Sequence, residues 1–248
     1  MSRRLRDRVV GAGRDAWATL LPTECSGCGA VDRALCADCR RALLPDVHRV
    51  ARDDLLIWAA LTYEGAARHV IAAYKDGGRT DATAALAAPL RAAIAAALAA
   101  VPPDDPLPAV EACRAGRSPK AGIQLVTIPS SRRAWRSRGY HPVDALLRQT
   151  GLRPFPALAQ RGETLDQVGL GRSMRAANKN HSLLARRPLE GTRMILVDDI
   201  VTTGATLLEA RRAVFAAGGT VVGLAVLAET PRRLTAARNS GQTDRQIR

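Results

Sequence analysis

Residues 193–206 read Arg-Met-Ile-Leu-Val-Asp-Asp-Ile-Val-Thr-Thr-Gly-Ala-Thr, so two carboxylates, Asp198 and Asp199, stand between an apolar run and a hydroxyl-rich turn. The run 194–197 is continuous rather than alternating, the pattern of a parallel strand covered on both faces. It is expected to end at Val197, placing the acids beyond its carboxyl end, where open α/β sheets bind ligands. Thr202, Thr203 and Thr206 supply hydroxyls, Gly204 lets backbone approach a ligand closely, and a helix is expected to begin here and run to about residue 217. A helix start offers unpaired N–H donors and the positive end of the helix dipole, which suit a phosphate dianion. Adjacent carboxylates are costly unless they accept hydrogen bonds, and vicinal sugar hydroxyls are well-spaced donors. The segment therefore has the chemistry of a ribose 5-phosphate site. An apolar strand ending in Asp-Asp also fits a nucleotide hydrolase, but the chain has no Gly-x-x-x-x-Gly-Lys-Ser/Thr loop.

Near the amino terminus, Cys25-Ser-Gly-Cys28 and Cys36-Ala-Asp-Cys39 form two Cys-x-x-Cys pairs with seven residues between them. Four thiolates close a tetrahedron around zinc and leave no open position, so such a metal stabilises folding rather than catalysing. Disulfides compete with this reading but need an oxidising compartment, and a redox pair needs a surrounding βαβ pattern that is missing. Cys113 stands alone in a polar stretch and reads as an incidental thiol.

The elements that must position these groups can be read in outline. Residues 4–21 form an expected amphipathic helix, with Leu5, Val9, Trp17, Leu20 and Leu21 on one side, stopped by Pro22. Gly11-x-Gly13-x-x-Ala16 imitates a dinucleotide fingerprint, but no strand precedes it. A strand is expected near 55–61, a helix over 66–74, an Ala-rich helix or helix pair over 82–101 and a proline-rich connection at 102–108. From Ile123 the pattern repeats strand, loop, helix: strands at 124–128, 156–160, 193–197 and 219–227, and a helix over 143–150. This alternation implies a doubly wound α/β sheet. The polar residues after 230 read as a disordered tail. The expected division is a helix at 1–22, a zinc ribbon at 23–45, an α/β domain at 46–230 and a tail at 231–248.

At 248 residues the chain can bury a sizeable core, and it carries a net charge of +14 with Lys75, Lys120 and Lys179 as its only lysines. Arginine abundance beside Ala-rich runs is compatible with a nucleic-acid or polyphosphate partner and demands neither. With 3% aromatics, no interleaved stacking platform for single strands is present. The basic amino terminus is broken by Asp7, Arg14 and Asp15, unlike a signal peptide, and Pro89 and Arg91 interrupt the Ala-rich stretch. A cytoplasmic protein without membrane insertion is expected.

The Asp198-to-Thr206 segment resembles the phosphoribosyl diphosphate (PRPP) signature of type I phosphoribosyltransferases, and the ordered set of motifs resembles the ComF/GntX-like proteins, which place a four-cysteine zinc ribbon before that fold. The set includes Tyr63-Glu64-Gly65, Tyr74-Lys75-Asp76-Gly77-Gly78, Ile128-Pro129 through Arg138-Gly139-Tyr140, and Thr164, Gln167, Arg172, Arg175 and Asn178. Two departures stand out: His141-Pro142 replaces the family's Asn-Gln, and Lys-Asn-His-Ser replaces a Phe after Asn178.

The resemblance implies a doubly wound, mostly parallel sheet and transfer of a phosphoribosyl group from magnesium-bound PRPP to an unknown acceptor, with release of pyrophosphate. By the same resemblance, Asp198 and Asp199 hold the ribose, and Thr202, Thr203, Gly204, Ala205 and Thr206 hold the 5-phosphate. Pyrophosphate falls to Ser130, Ser131, Arg132, Arg133 and Arg138, with Arg136 behind the loop. Gln167, Arg172 and Arg175 fall in a hood over residues 161–182, and Cys25, Cys28, Cys36 and Cys39 hold zinc. No general base is assigned, although His141 and His181 lie near the expected site. A non-catalytic, PRPP-sensing role in DNA uptake, with single-stranded DNA or a helicase-like competence protein as partner, is the alternative the resemblance carries.

Overall fold

A computed structural model of the chain describes residues 24–31, 33–102, 122–161 and 182–232. The expected helix at 4–21, Cys113, most of the 102–108 connection, the residues beyond 232 and almost all of the hood, with Thr164, Gln167, Arg172, Arg175, Asn178 and His181, lie outside them.

The central sheet has five strands: β1 (His48–Arg52), β2 (Leu55–Thr62), β3 (Ile123–Thr127), β6 (Arg193–Val201) and β7 (Thr220–Glu229), in the order β1-β2-β7-β6-β3. The last four strands in that order run parallel, and β1 closes one edge antiparallel to β2. A separate antiparallel pair joins β4 (Leu158–Gln160) to β5 (Leu183–Ala185). The expected strand near 156–160 thus forms outside the main sheet, and β1 and β5 are additions to the strands expected from sequence.

Because β6 is an interior strand, its alternate residues enter two cores. Ile195 and Val197 join Val70, Ile71 and Tyr74 of α2 (Gly65–Asp76), Leu86, Leu90 and Ile94 of α3 (Thr83–Ala99), and Val143, Leu146 and Leu147 of α5 (Pro142–Gln149). Met194 and Leu196 join Leu207, Ala210 and Val214 of α6 (Ala205–Ala216), with Leu158 and Leu183 of the β4–β5 pair. Helices on both faces make the sheet doubly wound, as the continuous apolar runs require.

The Ala-rich stretch is one helix with Pro89 inside it, not a pair. Residues Thr80–Ala99 are long and apolar enough to cross a membrane by composition, yet Leu86, Leu90, Ala93, Ile94 and Ala97 are buried in the core. Two short helices complete the description: α1 (Ala37–Arg41) in the cysteine module, and α4 (Arg132–Arg138), in a stretch expected to be loop. Signals for α4 are present in the sequence. The Ser131 hydroxyl caps it by accepting from the Ala134 N–H at 3.2 Å, and Gly139 ends it in the left-handed conformation, φ 75°.

Candidate active site

Strand β6 does not stop at Val197. It remains paired with β7 through Val201, whereas β3 ends at Thr127 opposite Val197. Asp198 and Asp199 therefore lie inside the strand, beside the space β3 vacates, rather than beyond its end. Ile200 and Val201 resume the apolar pattern, which the acids mask. The carboxylates also satisfy local backbone: Asp198 Oδ1 accepts from the Asp199 N–H at 2.8 Å, and Asp199 Oδ1 from the Ile200 N–H at 2.7 Å.

The two acids have different surroundings. Asp198 lines a small hollow with Ile200, Val201 and residues 202–207, bringing one carboxylate to the start of α6. Thr202, Thr203, Ala205 and Thr206 are exposed there, and Gly204 is buried with φ +87°. A Cβ on Gly204 would stand 2.9 Å from Arg52 Cβ, so the turn needs glycine both for its backbone conformation and for its packing on β1. Asp199 instead meets Lys75 at the end of α2, Nζ to Oδ2 2.7 Å.

Burial, reinforced by the neighbouring charge of Asp199, pushes the Asp198 carboxyl up to about 8; Lys75 and the Asp199 N–H oppose the shift. Raised above its ordinary value of 3.8, this group makes the folded state bind more protons than the unfolded chain between those limits. Its contribution to stability is fully present below about pH 4 and is lost as pH rises through about 8. Asp198→Asn is expected to flatten the decline in melting temperature between about pH 5 and 8. Parallel wild-type and variant curves would contradict the shift.

Beneath the turn, Arg52 is 4% exposed and makes four hydrogen bonds. Its Nε donates to the Thr202 carbonyl at 2.8 Å, Nη1 to the Ala51 carbonyl at 3.0 Å, and Nη2 to Glu229 Oε2 at 2.6 Å and the Thr230 carbonyl at 2.7 Å. One buried guanidinium thus fastens the threonine turn to β1 and to the end of β7. On the opposite side of α6, Glu209 accepts from the Leu183 N–H at 2.9 Å, anchoring the helix to β5.

The expected pyrophosphate residues are arranged around α4. Ser130 lies in the short loop after β3, Ser131 is the helix cap, and Arg132 and Arg133 form the first turn. Gln160 Nε2 donates to the Pro129 carbonyl at 3.0 Å, tying this loop to β4. Arg138 pairs with Asp76 at 2.7 Å, so it braces the end of α2. Tyr140 assists: its hydroxyl donates to the Tyr74 carbonyl, its ring meets Tyr74 edge-on at 5.7 Å, and the Tyr74 hydroxyl reaches the Pro142 carbonyl at 2.9 Å. The Arg-Gly-Tyr and Tyr-Lys-Asp motifs, distant in sequence, are thereby locked together.

The four cysteines form a second site. Their sulfurs all lie within 4.8 Å of one another, and the Cys28 and Cys36 sulfurs are 3.7 Å apart, close to the ~3.8 Å tetrahedral edge implied by Zn–S bonds of about 2.3 Å. None is in a disulfide. Burial works against ionising Cys25, but N–H groups of Cys36, Cys28 and Gly27 outweigh it and lower the thiol to about 6. A Cβ on Gly27 would stand 2.5 Å from the Cys39 sulfur, so the cradle is shaped around the sulfurs. The donor set and spacing fit a small zinc ribbon. The module rests on α2, with His69 Nδ1 3.1 Å from the Gly27 carbonyl, and Arg79 donates to the Glu24 carbonyl at 3.0 Å.

No curated protein sequence gives a significant match to the chain. Among solved structures it is similar to adenine phosphoribosyltransferase from Leishmania tarentolae, at 13% identity over 49% of this chain and 68% of that one, TM-score 0.26. A second adenine phosphoribosyltransferase structure is similar at 14% identity over 77% of this chain and 89% of that one, TM-score 0.33. Residues 151–243 match the family model of the phosphoribosyl transferase domain, and that stretch contains β6 with its acidic pair, the threonine turn and α6.

Proposed function

We propose that this protein binds magnesium-complexed PRPP and transfers its phosphoribosyl group to a small-molecule acceptor, releasing pyrophosphate. The observation that carries this reading is the union, within the matched domain, of Asp198 with the threonine turn at the start of a twelve-residue helix. The 5-phosphate binds N–H and hydroxyl groups of the Thr202–Thr206 turn, and the ribose hydroxyls donate to Asp198 and Asp199. Held at both ends, the sugar presents its anomeric carbon towards the loop at 129–131. There the acceptor's lone pair forms the new bond to that carbon as the bond to the diphosphate oxygen breaks, the electron pair leaving with pyrophosphate. Arginines of the adjoining α4 stabilise the departing charge. Zinc in the four-cysteine cluster holds the amino-terminal module in shape and takes no part in the transfer.

Calorimetry with magnesium-PRPP on wild type and the Asp198→Asn/Asp199→Asn variant tests this reading. At a pH above about 8, where both carboxylates are charged, saturable binding weakened about hundredfold or more in a folded variant is expected, since hydrogen bonds to charged groups contribute about 1.5–3 kcal/mol each. Equal affinities would remove the site.

A second reading makes the chain a PRPP-binding accessory of DNA uptake, with the cysteine module docking a helicase-like partner. It is favoured by the exposed apolar side chains of Val31 and Leu44 at 62% and 64%. Its sign is salt-sensitive binding of single-stranded DNA that survives the double Asn change.

A further inference from the structure

Among the described residues Lys75 is the sole lysine, in a chain of 37 lysines and arginines of which three are lysines. It closes the last turn of α2, where a cation suits the helix dipole. Its side chain is 28% exposed, and its ammonium meets an Asp199 carboxylate whose side chain is 14% exposed. With Oδ1 on the Ile200 N–H and Oδ2 on Lys75, both oxygens of Asp199 are engaged and the carboxylate has a fixed direction. The end of α2 is itself held: Arg138 grips Asp76, Tyr140 bonds the Tyr74 carbonyl, and Tyr74 bonds the Pro142 carbonyl. Three separate segments therefore converge to deliver one ammonium to one carboxylate.

We propose that Lys75 is the positioning residue of the ribose site: it orients Asp199 and offsets its charge, so that two adjacent acids can receive a polyanionic sugar phosphate. The inference rests on the phosphoribosyl reading above. Without the ammonium, Asp199 keeps an uncompensated charge that repels the incoming phosphates, and its Oδ2 loses the partner that fixes the direction of the carboxylate. Both effects weaken binding. Because Lys75 acts through Asp199, ribose 5-phosphate and PRPP should suffer alike, whereas a lysine that gripped the diphosphate would matter for PRPP alone.

The test is calorimetric titration of ribose 5-phosphate and of magnesium-PRPP into wild type, Lys75→Met, Lys75→Arg, Asp199→Asn and the Lys75→Met/Asp199→Asn double variant, with melting temperatures alongside. The methionine variant is expected to lose about tenfold or more in affinity for both ligands, arginine to recover part of the loss, and the methionine change to have little further effect once Asp199 is Asn. Should methionine unfold the chain, Lys75→Gln removes the charge while keeping a donor and is read by the same criteria. Unchanged affinity in the methionine variant, a loss confined to PRPP, or equal losses with and without Asp199 would each overturn the role of Lys75 while leaving the PRPP site standing. Failure of wild type to bind either sugar phosphate would overturn the functional reading, and this inference with it.

Discussion

Arg52→Met is expected to destabilise the fold by about 3–5 kcal/mol, the usual cost of leaving one member of a buried ion pair alone. Arg52 and Glu229 are 4% and 8% exposed, so water cannot take the place of the lost partner. The substitution also strips donors from the part-buried Thr202 and Thr230 carbonyls, which loosens the threonine turn within that figure. Urea unfolding measures the loss as a shift in midpoint at constant slope. A loss well below about 3 kcal/mol would show that the pair is not buried in solution. Arg52→Met/Glu229→Met separates the charge from the packing. If the penalty comes from the orphaned carboxylate, the double variant recovers much of it, because replacing both members of a buried pair with apolar groups is often close to neutral.

The same variants reach the site. Among the described residues, Arg52 is the side chain that holds the Thr202 carbonyl, and its Cβ lies where a side chain on Gly204 would have to go. The threonine turn is thus positioned from the antiparallel edge strand, 150 residues earlier in the chain. A threonine turn of this kind can be recognised locally, but its precision depends on this distant support.

How much of this is legible in the sequence follows from how far each signal reaches. The acids, the threonine turn and the cysteine pairs are local patterns, and each can be read directly. The sheet's central strands are equally plain because burial on both faces leaves a continuous apolar run. Strand β1 is not, since His48-Arg-Val-Ala-Arg52 carries a charged or polar group at three of its five positions, and its buried member is an arginine whose acceptors lie in β7 and the threonine turn. The true end of β6 is hidden because two charges imitate a strand terminus. Asp198 and Asp199 are tolerated within the strand because β3 has already ended beside them and because they accept from their own backbone. Lys75 belongs to a recognisable motif but has no role until α2 is seen to end beside Asp199. Arg138 is read from the basic run as a phosphate ligand, and its contact with Asp76 is a further feature that only the fold shows.

Metal analysis should return close to one zinc per chain, and Cys39→Ser should lower stability by more than about 3 kcal/mol; structural zinc in small fingers contributes apparent folding free energies of about 10–16 kcal/mol at pH 7. The effect should be large here because, among the described residues, few buried side chains hold the module together. Its buried apolar side chains are Cys25, Cys39 and Leu43, two of them ligands in this reading, and its polar bonds are short links such as the Cys25 N–H to the Ala30 carbonyl at 2.8 Å and the Ser26 N–H to the Ala34 carbonyl at 3.1 Å. Without the metal, burial and the three neighbouring thiols push the Cys39 thiol up, so an empty cluster would hold a proton there that zinc must displace. Zinc affinity should therefore fall as pH is lowered. Loss of the module would bare the face of α2 around His69 and Val70, and α2 carries Lys75 in its last turn, so chelation should weaken magnesium-PRPP binding as well as lower the melting temperature. A metal-free protein with an unchanged unfolding midpoint would refute the zinc assignment. If chelation melted the module but left PRPP affinity intact, zinc would remain structural, and the end of α2 would be held by its contacts with Arg138 and Tyr140.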